Sequence, residues 1–400
     1  MAHPFNKALN YLSSKKYDKA LAIFKKLWKE TPYKEIALNM GSAYRGLSDF
    51  DNALKYYLEA NAADLPYTDN TFSETYPKAL NNLGLLAYTY ENDVVACDLY
   101  AKALEVEPQY WDALWNYSQA LGRRYCSNKY DRPALVWEMM ESRFHRGDAG
   151  VKLKNKKKDL ILWDYITKVD SIVVLTEQGF GDHLQFGRYL SILEKFADKI
   201  WVQCADRAAV FYSKYNTCSD PLETDATHGV AFCNLARLCS DIPSGDWLKD
   251  KYVQKLPNGI LDIGVTWSGN SAHGNDAYRS SKPGYFKQLS ECGTLYTLNP
   301  TEVGTKGFIG LDSSGWDATI RELGKLDFVV CVDTSIAHLC GSLGMKCYCI
   351  MPLYDSDYRW GDSSMGTSNV WYDSVRVIRN NGSWEQAIKD CIQLIKYENS

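Results

Sequence analysis

The stretch VVLTEQGFGDHLQFGRYL, residues 173–190, decides the fold of most of this chain. It begins with a continuous apolar run, which is typical of a strand in a parallel sheet that helices cover on both faces. Gly179 and Gly181 then allow the backbone to turn sharply, and the following apolar residues have the spacing of an amphipathic helix. The stretch therefore predicts a strand, a glycine-hinged loop and a helix in succession.

Asp182 stands at the start of that helix, directly after Gly181. One interpretation is structural, because an acidic residue at an N-cap or in a first turn accepts backbone hydrogen bonds and complements the helix dipole. The other is functional: free amides at a helix start favour an anionic ligand, and a carboxylate beside it can act as a base. The candidate ligand contacts of this loop are Gln178, Gly179 and Gly181. This segment alone leaves both interpretations open.

Short apolar strands alternate with helical stretches from Ser171 onward. A first series comprises SIVVLT, KIWVQC and GVAFCN, and a second comprises LDIGVTWSGN, GTLYTL, DFVVCVDTS, MKCYCIMP and SVRVIRN. Such alternation predicts parallel sheets covered by helices. Because there are two series, we predict two Rossmann-like lobes facing across a cleft, at residues 170–258 and 259–400. Ligands of such sheets bind at the carboxyl ends of the strands.

The first third of the chain contains an internal repeat. Small, aromatic and proline positions recur three times: Ala8, Tyr11, Ala20, Phe24 and Pro32, then Gly41, Tyr44, Ala53, Tyr57 and Leu65-Pro66, then Gly84, Ala87, Ala96, Tyr100 and Pro108. The pattern predicts stacked helical hairpins over residues 1–150, in which the aromatic residues fill the gap to the next hairpin. Residues 151–169 follow as a basic linker. Its segment KLKNKKKD is either a solvated connection or a cationic rim for an acidic acceptor.

Composition excludes several classes of protein. A charged fraction of 24% with a hydrophobic fraction of 46% is typical of a globular protein, and a net charge of −4 gives no reason to expect nucleic-acid binding over the whole surface. No apolar run approaches the roughly 20 residues of a membrane span, and the start has no apolar segment of a secretory signal. The 12 cysteines include no C-x-x-C pair, which predicts buried thiols, no structural zinc and a cytoplasmic location.

The loop after the strand LDIGVT carries a second set of candidate ligand contacts. These are Trp267, Gly269, Asn270, Arg279 and Ser280. An arginine and hydroxyl groups beyond a strand end suit a phosphate oxygen. An ordinary surface loop is the alternative.

The segment DFVVCVDTSIAHLCGSLG, residues 327–344, carries a third set. An apolar strand delivers Asp333, Thr334 and Ser335 to the start of a helix, and His338 lies in its first turn. Hydroxyls, amides and an imidazole at a helix N-terminus can hold a diphosphate. A fourth set, in MPLYDSDYRWG, contains Arg359 as a further candidate and Trp360, for which packing at the lobe junction is the alternative.

The order and spacing of GFGDHLQFGRY, WSGNSAHGNDAYRS, DFVVCVDTSIAHLCGSLG and PLYDSDYRW resemble the tetratricopeptide-repeat glycosyltransferases related to bacterial heptosyltransferases, glycosyltransferase family nine. The resemblance implies an α + α/β fold, with a tetratricopeptide-repeat array before two lobes in the GT-B arrangement. It implies a nucleotide-sugar donor and inversion at the anomeric carbon, without a metal or other cofactor. By this likeness Asp182 is the general base, and the residues that hold or neutralise the donor's diphosphate are Arg279, Ser280, Asp333, Thr334, Ser335 and His338.

One departure from that family concerns Ala277 and Tyr278, which stand where a charged pair is expected. It leaves the identity of the donor open. The acceptor also stays open among a protein or peptide, a glycan and a modified nucleic-acid base, and the repeats either bind a protein partner or brace the lobes. The alternative function is a non-catalytic repeat scaffold whose lobes bind a nucleotide or a protein partner.

Overall fold

The computed structural model describes residues 4–67, 71, 73, 75–131, 133–146, 159–177, 179–256, 258–271, 273, 275–299 and 304–399. Gln178 and residues 151–158 of the predicted linker lie outside them. The chain forms two compact units, Met1–Leu121 with Met139–Arg146, and Gly122–Glu138 with Gly147–Ser400. A helical N-terminal region thus precedes two parallel sheets with helices, which confirms the predicted fold class at this level.

The helical region consists of consecutive helices. They are α1 Pro4–Ser13, α2 Tyr17–Glu30, α3 Lys34–Gly46, α4 Phe50–Ala60, α5 Pro77–Thr89, α6 Asp93–Val106, α7 Trp111–Cys126 and α8 Pro133–Met139. Helices α1 to α6 pack as three successive pairs. In the second and third pairs a tyrosine ring lies directly on a glycine, so that a Cβ added at Gly41 or Gly84 would come within 2.5 Å of Tyr57 or Tyr100. These aromatic residues therefore pack inside their own hairpin, because glycine leaves room for the ring there, and Tyr100 also contacts Tyr117 of the following helix α7 with a centroid distance of 6.4 Å, on the side that the repeat pattern predicts.

This packing predicts the effect of Gly84→Ala. The new methyl group overlaps the Tyr100 ring, which is fully buried and has no space to retreat. We expect the free energy of unfolding to fall by about 1–2 kcal/mol in urea titrations followed by circular dichroism, after the better helix propensity of alanine is included. Lys78→Ala, at an exposed position of the same helix, is the control and should change stability by less than about 0.5 kcal/mol. Equal stability of both variants would contradict the packing.

The first sheet, sheet A, has five parallel strands in the order β1-β5-β2-β3-β4. They are β1 Ile161–Leu162, β2 Val169–Leu175, β3 Ala197–Gln203, β4 Asn216–Cys218 and β5 His228–Ala231. Strand β1 lies in the stretch predicted as a linker, because two residues are too few to show a strand pattern. The helix predicted after β2 is interrupted: α9 Phe180–Phe186 passes through a 3-10 turn into α10 Leu190–Leu193. The turn begins at Gly187, where the Trp247 ring occupies the space a side chain would need.

The second sheet, sheet B, has six parallel strands in the order β11-β10-β9-β6-β7-β8. They are β6 Asp262–Thr266, β7 Thr294–Thr297, β8 Ile309–Gly310, β9 Phe328–Val332, β10 Cys347–Ile350 and β11 Val375–Ile378. The associated helices are α11 Asp276–Arg279, α12 Pro283–Phe286, α13 Trp316–Leu323, α14 Ser335–Leu343 and α15 Trp384–Glu398. Apolar side chains of β6, β9, β10 and α15 form the core of this lobe.

Each sheet has one point at which the strand order reverses. In sheet B the chain builds β7 and β8 on one side of β6 and then crosses to β9 on the other side; in sheet A the same reversal places β5 beside β2. The loops after two such neighbouring strands run in opposite directions and leave a crevice at the carboxyl edge. The candidate segments after β2, β6 and β9 all lie at these reversal points. No helix in the described part of the chain is both long and apolar enough to cross a bilayer.

Candidate functional site

The loops after β6 and β9 are joined through Arg279. Its Nη1 donates to the backbone oxygen of Asp333 at 3.2 Å, and its Nε lies 3.6 Å from Oδ1 of Asp276. No described residue accepts a good hydrogen bond from that Nε. The guanidinium lies on Gly269, where an added Cβ would come within 2.8 Å of Nη2. An arginine whose Nε lacks a good hydrogen bond to any described residue therefore lies at the reversal point of sheet B.

The hydroxyl groups predicted beside this arginine mostly hold their own loops. Ser280 accepts a hydrogen bond from the Gly269 amide at 3.0 Å and donates to Asp276 at 2.6 Å. Thr334 is the N-cap of α14 and accepts from the amide of Ile336 at 3.3 Å. Asn270 is exposed in the same loop as Ser280.

Trp267 differs from its prediction. Its ring is fully buried and packs on Phe308 with a centroid distance of 4.9 Å, so it belongs to the core of the lobe. A side chain in that position supports the loop from below and does not reach a ligand. The strand exit alone could not show on which side of the sheet the ring would lie.

Helix α9 of the first lobe packs directly on α14 of the second. A Cβ added at Gly181 would come within 3.0 Å of Cδ2 of His338. The His338 ring stacks on Trp360 at 5.2 Å, and its Nδ1 lies 3.0 Å from the Tyr372 hydroxyl. The glycine-hinged loop and the start of α14 thus face each other, and Trp360 does pack at the lobe junction.

Asp182 joins the two lobes by an ion pair. Its Oδ2 accepts from the amide of Gly179 at 3.0 Å, which makes it a first-turn acid of α9, and its Oδ1 pairs with Nη2 of Arg359. Nη1 of Arg359 binds Asp357 at 2.7 Å. The Asp182 and Arg359 side chains are only 12% and 13% exposed. The structural interpretation of Asp182 is therefore correct, and it does not exclude the functional one.

Three carboxyl groups surround Arg359, and two of them have perturbed acidity. Burial raises the pKa of Asp182, and the Arg359 guanidinium opposes that rise. Burial, with the nearby Asp357, raises the pKa of Asp333 to about 6, although Trp360 donates to its Oδ1 at 3.0 Å. A carboxylate with a raised pKa is a stronger base at neutral pH. The junction therefore holds carboxylates suited to accept a proton.

Burial lowers the pKa of two histidines, His338 at the junction and His183 in the first lobe. Burial lowers the pKa of His338 well below its usual range, and Arg359 and Arg188 lower it further. Burial lowers the pKa of His183 to about 4, and its Nδ1 lies 2.9 Å from the Tyr212 hydroxyl. His338 can therefore offer a hydrogen bond to a ligand but no positive charge.

The depressed pKa of His183 predicts a pH-dependent stability. In the unfolded chain His183 binds a proton below a pH of about 6.5, whereas in the folded protein it does so only below a pH of about 4. The free energy of unfolding that neutral His183 contributes above pH 6.5 is therefore lost as the pH falls toward 4. We expect His183→Gln to remove up to about 1.4 kcal/mol per pH unit from the slope of unfolding free energy in this window. Urea titrations at pH 7.5, 6.0 and 5.0 measure the slope. Equal slopes for the wild type and the variant would show that His183 has the same pKa in the folded and the unfolded protein.

Arg188 is a junction residue that the sequence analysis missed. It is 2% exposed and donates to the backbone oxygens of Trp371 at 2.8 Å and Pro243 at 3.1 Å. Its guanidinium also lies 4.7 Å from the Tyr372 ring centroid. The only signal in the sequence was an arginine directly before the apolar residues of YLSIL.

The junction is closed in this structure. Asp333 and His338 are 7% and 4% exposed, and Arg359 occupies the face of Asp182 toward the second lobe. Two surface cavities lie elsewhere, one beside α4 and the other lined by residues that include Tyr125 and Ile242. Within the described ranges, no group of three or more histidine, cysteine, aspartate or glutamate side chains is placed to hold a metal ion.

Comparisons with known proteins find similar structures only. No protein-family model matches the chain, and neither does any curated protein. An O-GlcNAc transferase mutant from Thermobaculum terrenum is 10% identical, with 98% of this chain and 89% of that chain covered and a TM-score of 0.35. The iron-containing dodecameric glycosyltransferase TibC from enterotoxigenic E. coli H10407 is 10% identical over 60% of this chain and 78% of its own, with a TM-score of 0.40. MamA is 18% identical over 40% of this chain and 77% of its own, with a TM-score of 0.28. Similarities this weak carry no argument about function.

Proposed function

We propose that this chain is an inverting glycosyltransferase that moves a sugar from a nucleotide-sugar donor to an acceptor hydroxyl. Tetratricopeptide repeats in the helical N-terminal region would precede two Rossmann-like lobes in the GT-B arrangement, and β1, from the stretch predicted as a linker, belongs to the first lobe. The lobe at 170–258 faces the acceptor and the lobe at 259–400 holds the donor. The observations that support this proposal are the approach of Gly181 to His338 of α14 and the contact of Asp182 with Arg359, which bring the proposed base and the proposed anion site to one junction.

Asp182 serves as the general base in this mechanism. Its carboxylate takes the proton of the acceptor hydroxyl while the acceptor oxygen forms a bond to the anomeric carbon. The bond from that carbon to the donor's diphosphate breaks on the opposite face, and its electron pair stays on the phosphate oxygen. Attack opposite the leaving group inverts the anomeric carbon. The raised pKa of Asp182 favours this proton transfer.

The second lobe stabilises the leaving diphosphate. Arg279 has an Nε without a good hydrogen bond to any described residue, and the first amides of α14 point out of its N-terminus beside Thr334 and Ser335. Donors of this kind are most effective where negative charge develops. Because they carry or provide positive charge, the reaction as proposed needs no metal or other cofactor.

The remaining candidate residues support these two groups. Gly179 and Gly181 allow the backbone of the first lobe to come close to the donor, and Gln178, which precedes them in the sequence, stays a candidate contact. Asn270 and Ser280 shape the loop that carries Arg279, and Trp267 supports that loop from the core. His338 positions Trp360 and α9, and contributes at most a neutral hydrogen bond. The acceptor is a protein or peptide, a glycan or a modified nucleic-acid base.

A non-catalytic scaffold is the second candidate function. The observation that favours it is the Asp182–Arg359 ion pair, which closes the junction and engages the proposed base. In that case the lobes bind a nucleotide or a protein partner without turnover.

A panel of UDP-, GDP-, ADP- and dTDP-sugars tests the proposal. A ligand present at 100 times its Kd stabilises the folded state by about 2.7 kcal/mol, so we expect one donor to raise the melting temperature by several degrees. The same donor should then be hydrolysed or used for transfer. Binding without turnover would favour the scaffold, and failure of every nucleotide to bind would contradict both functions that involve a nucleotide.

A further inference from the structure

Arg359 lies between the proposed base and a second carboxylate. Its Nη2 pairs with Asp182 of the first lobe, and its Nη1 pairs with Asp357 at 2.7 Å. No described residue accepts a hydrogen bond from its Nε. The guanidinium therefore bridges the lobes while one of its donors stays unused, although the side chain is only 13% exposed.

This contact weakens Asp182 as a base. Oδ1 is held by Arg359, and Oδ2 accepts from the Gly179 amide. Each oxygen accepts from one donor, Arg359 covers the side of Oδ1 toward the second lobe, and the adjacent positive charge favours the ionised form of the carboxylate and weakens it as a base. Arg359 must leave Asp182 before the proposed proton transfer can occur.

The position of Arg359 indicates what could remove it. It belongs to the short turn Tyr358–Trp360 that follows β10 at the donor side, and the next residue, Trp360, binds Asp333 at the start of α14. Arginine binds phosphate through two parallel hydrogen bonds, and a diphosphate offers more negative charge than one carboxylate. A diphosphate held at α14 would therefore compete with Asp182 for this guanidinium.

We propose that Arg359 is a positioning residue that holds Asp182 in the empty protein and transfers to the donor's diphosphate when that group binds. This inference rests on the proposed function and adds to it an order of events. Donor binding frees the base, the base takes the acceptor's proton, and Arg359 stays with the phosphate oxygens that receive the bonding electrons. When the nucleotide leaves, Arg359 returns to Asp182. The acceptor can therefore react only when the donor is already bound.

Inorganic pyrophosphate is a suitable probe, and calorimetry of the wild type and four variants tests the exchange. If Arg359 has to leave Asp182, Asp182→Asn removes the competitor and should tighten pyrophosphate binding by about 5- to 10-fold, whereas Arg359→Gln should weaken it by at least about 10-fold. In the Arg359→Gln background, Asp182→Asn should change the Kd by less than about 2-fold, because the two residues act through one contact. Glu177→Gln is the matched control. Glu177 is a nearby carboxylate that influences Asp182 but accepts its hydrogen bond from the Cys233 amide, so its change should stay below 2-fold.

The double variant distinguishes exchange from simple repulsion. If Asp182 only repels the anion, its replacement tightens binding equally with or without Arg359, and that result overturns the inference. Unchanged affinity of Asp182→Asn overturns it as well. After either result, the proposed function is still supported if a nucleotide sugar binds and Asp182→Asn abolishes transfer. If neither pyrophosphate nor any nucleotide binds, the proposed function is contradicted as well. Should Arg359→Gln fail to fold, Arg359→Lys replaces it, since lysine keeps the charge but lacks the two-donor geometry.

Discussion

Replacing Asp182 with asparagine should lower the rate of sugar transfer by at least 100-fold while the protein stays folded. Asparagine has nearly the same shape and can still accept from the Gly179 amide, so α9 keeps its first turn. It cannot take a proton, and a positioned base contributes about 10²- to 10⁴-fold to a rate. Steady-state transfer from the donor identified in the nucleotide panel measures the effect, and circular dichroism verifies the fold.

The control for this variant is Asp317→Asn. Asp317 is also an acidic residue in the first turn of a helix with an arginine partner, since Arg321 binds it at 3.0 Å, but its side chain is 63% exposed. Its replacement should change the transfer rate by less than about 2-fold. If Asp182→Asn transfers sugar as fast as this control, Asp182 is not the base and Asp333 becomes the candidate.

Arg279→Gln should lower kcat by about 10²- to 10³-fold, which is the loss typical when one preorganised donor to a developing negative charge is removed. Glutamine keeps some of the length of the side chain but has no charge and cannot replace the donation from Nη1 to the Asp333 backbone oxygen at the same position. The KM for the donor should change less than kcat, because the interaction strengthens as the diphosphate leaves.

Two further variants separate the chemistry of Arg279 from its structural role. Gly269→Ala leaves the arginine in place but displaces its guanidinium, because the new Cβ would lie 2.8 Å from Nη2, and it should also lower kcat. Arg321→Gln, which removes an exposed arginine of α13, should leave kcat unchanged. A normal kcat in both Arg279→Gln and Gly269→Ala would show that the leaving group is stabilised elsewhere.

Local patterns predicted the strands well where they were long and apolar. The run FVVCV became β9, with every residue buried, and the neighbouring parallel strands followed the same rule. Strands β1 and β8 were missed because each has only two residues, both exposed. Such strands exist through pairing with a longer neighbour, so periodicity cannot reveal them.

The candidate site shows a similar division. The sequence indicated Asp182, Arg279, Asp333 and Arg359 because glycines, strand ends and a helix start mark the carboxyl edges of parallel sheets. It could not indicate that Trp267 turns into the core, or that His338 is held uncharged against Gly181. Both outcomes depend on which surfaces the neighbouring elements bury.

The sequence by itself determined the order of the longer strands and the polar residues that follow them, because apolar periodicity and turn-forming glycines act over a few residues. Only the tertiary structure decided that Arg359 would meet Asp182 across 177 positions. An ion pair of that separation depends on how the two lobes pack, and the burial of that contact then sets the acidity of the carboxyl groups around it.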